Sequence, residues 1–116
     1  MSKLLIYIGE KQHFELEPTV RAITEIEGVS NVRREKFVGA VFECNYSYAG
    51  RVTVVRISAD LETVTVEGLG EESMDFAVKF QQSMTIPLHI IDIDYSFNLN
   101  LSEFKSGAEL MSATDA

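Results

Sequence analysis

Asp92 and Asp94 stand two residues apart in Ile91–Leu101, a stretch in which apolar and polar residues alternate. Side chains alternate across a strand, so the two carboxylates are expected on one face, about 7 Å apart. Such a pair could hold a hard cation or share a proton. A calcium or magnesium ion needs more oxygen ligands, and Ser96 and Asn98 lie progressively farther along. The expected state is a solvated pair, or one balanced across strands by Arg56. No metal is assigned. The nucleophile inventory is short: Cys44 is the single thiol, and His13 and His89 are the only histidines. Cys44 shares parity with Phe42 and Tyr46, on a face expected to point inward, where a thiol is inert. The three residues have no zinc-site spacing. Gly68-Leu69-Gly70, between a strand and a helix, begins like a dinucleotide loop. Ser73 stands where the third glycine would, and Glu71 and Glu72 would repel a pyrophosphate. No cofactor is expected, and the balance leans against an enzyme.

Charge narrows the partners. The chain has 116 residues, with 10 basic and 18 acidic side chains and a formal net charge of −8. That field repels phosphates, so neither nucleic acid nor a membrane surface is expected as a partner. Arg33-Arg34-Glu35-Lys36 is a short basic cluster, too small for a nucleic-acid face. A single cysteine forbids an internal disulfide and fits a reducing compartment. The apolar run Leu4–Ile8 is too short for a signal peptide, and no run reaches membrane-span length. The expectation is a soluble, cytoplasmic protein.

The elements that would position these residues follow from periodicity. Leu4–Ile8 is apolar on both parities, as in a central strand covered on both faces. Val20, Ile23 and Ile26, between Pro18 and Gly28, form a one-stripe helix. Val38–Tyr48, Val52–Ser58 and Thr63–Val66 read as a three-strand meander, turning at Ala49-Gly50 and Asp60–Glu62. Ser73, Phe76, Ala77, Phe80 and Met84 mark the buried stripe of a second helix, which Pro87 ends. Leu88–Leu101 is then one long strand, with Ile91, Ile93, Tyr95, Phe97, Leu99 and Leu101 facing the core.

The order β-α-β-β-β-α-β predicts an α+β, ferredoxin-like two-layer sandwich: an antiparallel or mixed sheet with two helices on one face. Residues 1–101 form one domain, and 102–116 a polar tail, mobile apart from one weak turn of helix around Glu109–Met111. Ile26-Glu27-Gly28-Val29-Ser30-Asn31-Val32 resembles the helix-to-strand passage of heavy-metal-associated domains, which share that fold. Those domains bind copper or zinc through Cys-x-x-Cys before the first helix. The matching loop here, Gly9–Leu16, has no cysteine, so the metal function does not carry over.

A sheet with helices on one side leaves its other face open. Parity places Val41, Glu43, Val52, Val54, Arg56, Asp92 and Asp94 there. An open patch of this kind invites a two-fold dimer. The leading expectation is a non-enzymatic domain acting by protein association, first as a homodimer. Its acidity also admits a basic protein partner, as in an immunity or antitoxin protein. A small-ligand or sensory domain is the alternative, with a pocket near Tyr46, Tyr48, Tyr95 and Phe97 or at the dimer seam. A small enzyme using the open-face acids and His89 comes third.

Overall fold

Alternation in the meander does become a sheet, and the sheet is larger than the periodicity foretells. The computed structural model describes residues 2–34 and 39–114. Among them are seven strands: β1 (Lys3–Tyr7), β2 (Val29–Arg33), β3 (Ala40–Tyr48), β4 (Arg51–Ser58), β5 (Thr63–Glu67), β6 (His89–Asp92) and β7 (Asn98–Asn100). Three helices accompany them: α1 (Leu16–Thr24), α2 (Glu71–Gln82) and α3 (Gly107–Thr114). The strands lie in the order β2-β3-β4-β5-β1-β6-β7, and every neighbouring pair is antiparallel.

The fold is therefore α+β, but its strand order is not ferredoxin-like. The connection through α2 leaves β5 and returns as β6 on the far side of β1, skipping one strand. The connection through α1 skips the whole meander β3–β4–β5. The meander stays contiguous because its turns are tight. Tyr48 pairs with Arg51 across Ala49-Gly50, with φ of 53° and 79° at the two turn residues. Positive φ at both positions matches the right-handed twist of the flanking strands.

One sheet face carries Leu4, Ile6, Phe42, Cys44, Tyr46, Val55, Ile57, Val64, Val66 and Ile90, all buried. Val20 and Ile23 of α1 and Phe76, Ala77 and Phe80 of α2 join the same core. Phe76 stacks on Phe80 at 5.8 Å, and Phe80 lies 5.9 Å from Phe14. Gln81, a buried polar side chain, is bonded at both ends. It donates to the Ile86 carbonyl and accepts from the Leu88 N–H, holding the turn that leads into β6.

Two expectations about the C-terminal third fail. The long strand over Leu88–Leu101 is a hairpin, because the chain leaves the sheet after Asp92. Tyr95 takes φ of 58°, and Ile93 and Tyr95 are exposed rather than facing the core. The segment expected to be a mobile tail instead adds a 3₁₀ turn at Leu101–Glu103 and the helix α3. Leu101 and Leu110 are fully buried, and Gly107 lies so close to α2 that a Cβ would meet the Asp75 backbone at 2.7 Å. Covered on this side too, α2 buries every residue from Ser73 to Val78. No helix among the described residues is long and apolar enough to cross a membrane.

Candidate functional site

Among the described residues no helix packs on the second face of the sheet, so its side chains stand where a partner could meet them. Register fixes their layout. One row crosses all seven strands: Arg33, Glu43, Arg56, Thr65, Leu5, Ile91 and Asn98 sit opposite one another in turn. Its β2–β4 end is charged. Arg56 Nε donates to Glu43 Oε1 at 2.7 Å, and Arg56 Nη1 donates to Glu67 Oε1 at 2.9 Å. Arg33 Nη1 closes on the other oxygen of Glu43 at 3.1 Å. The hydrogen bond from Glu67, then that from Glu43, raise the Arg56 pKa and keep its charge fixed. Exposed ion pairs are each worth about 0.2–1 kcal/mol, but a shared arginine orders both carboxylates at once.

The β1–β6 end of the row is apolar and aromatic. Tyr7 stacks on His89 at 5.3 Å, and Asn98 Nδ2 donates to the Tyr7 hydroxyl at 3.2 Å. Two shallow depressions flank the row. Lys3, Arg56, Ser58 and Thr65 line one of about 430 Å³, and Leu5, Tyr7, Ile91 and Tyr95 one of about 420 Å³.

Of the expected interface residues, Val41, Glu43, Val54 and Arg56 are half-buried on this face and Val52 is 61% exposed. Val52 and Val54 are neighbours on β4, but Val41 is cut off from them by the Glu43–Arg56 pair. Asp92 and Asp94 do not belong to the set. Asp92 pairs with Leu4, so its parity is that of the core face, and it is 3% exposed. Its carboxylate accepts the Ser96 N–H at 2.6 Å and the Ser96 hydroxyl, and the hydroxyl bond first of all lowers its pKa. Asp92 thus builds the β6–β7 turn, while Asp94 sits exposed in that turn. Neither Asp balances Arg56, which Glu43 and Glu67 already engage.

The expected aromatic pocket does not form. Tyr46 and Tyr48 are on β3, four positions across the sheet from β6, so the Tyr95–Phe97 turn lies far from them. Tyr46 is fully buried; its hydroxyl donates to Asp75 Oδ2 and accepts from Lys79 Nζ at 3.0 Å. Burial, then the bond to Asp75, push the Tyr46 phenol up to about 12, so it stays protonated and anchors α2 to β3. Tyr95 is 75% exposed and Phe97 half-buried. Cys44 is buried as expected, and burial pushes its thiol up to about 12, which removes it as a nucleophile. No cluster of three or more His, Cys, Asp or Glu suited to a metal occurs among the described residues. The basic cluster is partly spent in pairs: Arg33 with Glu43, and Arg34 with Glu17. Glu35, Lys36 and Val38 lie outside the described residues.

Glu67 also belongs to the face, and the parity of Thr63, Thr65 and Glu67 is its signal. The apolar run Leu4–Ile8 admits either Leu5 and Tyr7 or Leu4, Ile6 and Ile8 on the face; the pairing sets Leu5 and Tyr7 there. Comparison of the chain with protein-family models, with curated proteins and with solved structures finds no match in any of the three.

Proposed function

We propose that the chain is a non-enzymatic association module that acts through its uncovered sheet face, first by pairing with a second copy of itself. The observation that carries this is the alternating row Arg33, Glu43, Arg56, Glu67 on a face no helix covers. A series of alternating sign is self-complementary: a two-fold axis parallel to the strands reverses it, so Arg33 of one copy meets Glu67 of the other and Glu43 meets Arg56. Leu5, Val52 and Val54 beside it supply apolar area. Seven strands about 4.8 Å apart and roughly 17 Å long span about 500 Å² on each protomer. That sits at the low end of specific interfaces, so the dimer is weak and reversible.

Val54→Asp tests it. In the dimer each new carboxylate loses water without gaining a partner, at several kcal/mol per ion, and the two-fold seam incurs this twice. Sedimentation should show wild type passing from monomer to dimer across the micromolar range, and the variant staying monomeric with native far-UV dichroism. A wild type that stays monomeric at high micromolar concentration refutes self-association. A folded variant that dimerises as well as wild type moves the seam off this face.

A further inference from the structure

On the helix side of the sheet, the loop after β1, the start of α1 and the connection after α2 enclose a cleft of about 460 Å³. Small-molecule sites commonly span about 300–1,000 Å³. Its floor is Phe14, 1% exposed and packed on Phe80, widened by Ile8, Ala22 and Met84. A phenyl ring, a thioether and aliphatic groups suit a flat or branched apolar body.

The rim has one electrostatic sign. Among the described residues Glu15 is the only carboxylate in the lining; the His13 imidazole lies beside it, and no ammonium or guanidinium accompanies them. It stands at the N-cap of α1, yet its side chain makes no capping hydrogen bond and no ion pair among the described residues. On the opposite wall, Ser83, Met84 and Thr85 follow directly on α2, where that helix presents its negative end. The positive end of α1 opposes this, but a helix terminus counts for about half a charge against the full charge of Glu15. We propose that this cleft is a binding site for a small protonated amine, its apolar body over Phe14 and its ammonium between Glu15 and the end of α2.

Phenethylamine is the probe, with phenethyl alcohol and hydrocinnamate as its neutral and anionic counterparts. Titrated into the full chain and followed by NMR amide shifts, the amine should give saturable changes at Ile8, Ala22 and Met84. The alcohol should bind roughly two- to fivefold more weakly, the range an exposed ion pair provides, and hydrocinnamate more weakly still. Glu15→Gln should bring the amine down to the alcohol. Ala22→Phe fills the cleft and should abolish binding while Glu15 stays in place. If that variant does not fold, nuclear Overhauser contacts between the probe ring and the Met84 methyl carry the test on wild type. Shifts that do not saturate or map elsewhere, hydrocinnamate binding as well as the amine, unchanged binding in a folded Ala22→Phe, or missing contacts to Met84 would each overturn the proposal.

Discussion

Replacing Tyr46 by Phe removes one oxygen from a polar network that is buried at Tyr46 and Asp75. That oxygen donates to Asp75 and accepts from Lys79, and Lys79 also reaches Asp75 at 3.1 Å. Near pH 8 the variant should lose about 1.5–3 kcal/mol, the worth of a hydrogen bond to a charged group. The pH dependence separates this network from simple packing. The folded phenol sits at about 12, chiefly because it is buried and then because it donates to Asp75. An unfolded tyrosine titrates near pH 10, so about two units, or roughly 2.7 kcal/mol, are at stake. A raised folded pKa gives stability that is complete below about pH 10 and is lost as pH climbs to about 12. Lys79, raised to about 12 first by its bond to Tyr46, moves in the same direction, though its exposure to water shrinks its share. Urea melts of wild type and Tyr46→Phe from about pH 8 to 12 should converge, wild type losing stability that the variant cannot lose. Parallel curves, with a constant gap throughout, would refute the assignment of the alkaline loss to this phenol.

Phe80→Ala empties the middle of the aromatic stack and should cost about 3–5 kcal/mol in denaturant melts; a loss below about 1 kcal/mol would mean the stack carries little of the core. Gly107→Ala forces a methyl group into the Asp75 backbone and should cost about 1–3 kcal/mol by thermal or chemical denaturation. Ala49→Asn should stabilise by up to about 1 kcal/mol, because Asn tolerates the left-handed φ of 53° that Ala adopts there at a cost. Asp92→Ala should speed hydrogen exchange at Ser96 and across β7 without unfolding the meander; unchanged protection at Ser96 would remove Asp92 as the builder of that turn.

The parts of the fold legible in the sequence are those where one physical pattern runs unbroken. In β3, Phe42, Cys44 and Tyr46 alternate with Val41, Glu43 and Asn45, and the structure keeps that division between core and open face. The stripe through Phe76 and Phe80 likewise lands in the core. The misreadings occur where a pattern continues across a change of direction. Ile91, Ile93, Tyr95 and Phe97 keep period two through a turn that contains neither Gly nor Pro. The turn is made by the Asp92 side chain reaching Ser96, a local bond that parity cannot register. β2 escaped notice because Asn31, at φ of 52°, interrupts its pairing and breaks its alternation. The last helix shows in the sequence only as a single turn around Glu109–Met111, since it is short and buries only Gly107 and Leu110. Alternation keeps Glu43, Val54 and Arg56 off the core side at β3 and β4, whereas at β6 Asp92 falls on the core side with Leu4.

β1 lies between β5 and β6, and both partners are made long after it. At about 5–20 residues per second, the some sixty residues from β1 to the end of β5 take roughly 3–12 seconds to synthesise. During that interval Leu4-Leu5-Ile6-Tyr7-Ile8 has no strand to pair with, while β2, β3 and β4 can already form a meander from neighbours in the chain. The sheet is then finished from the inside, by admitting β1 into its middle. Every newly made copy therefore passes through a stage in which its most apolar strand is free to pair with the same strand of another copy. Crowded synthesis is thus a condition under which this fold is exposed to aggregation through β1.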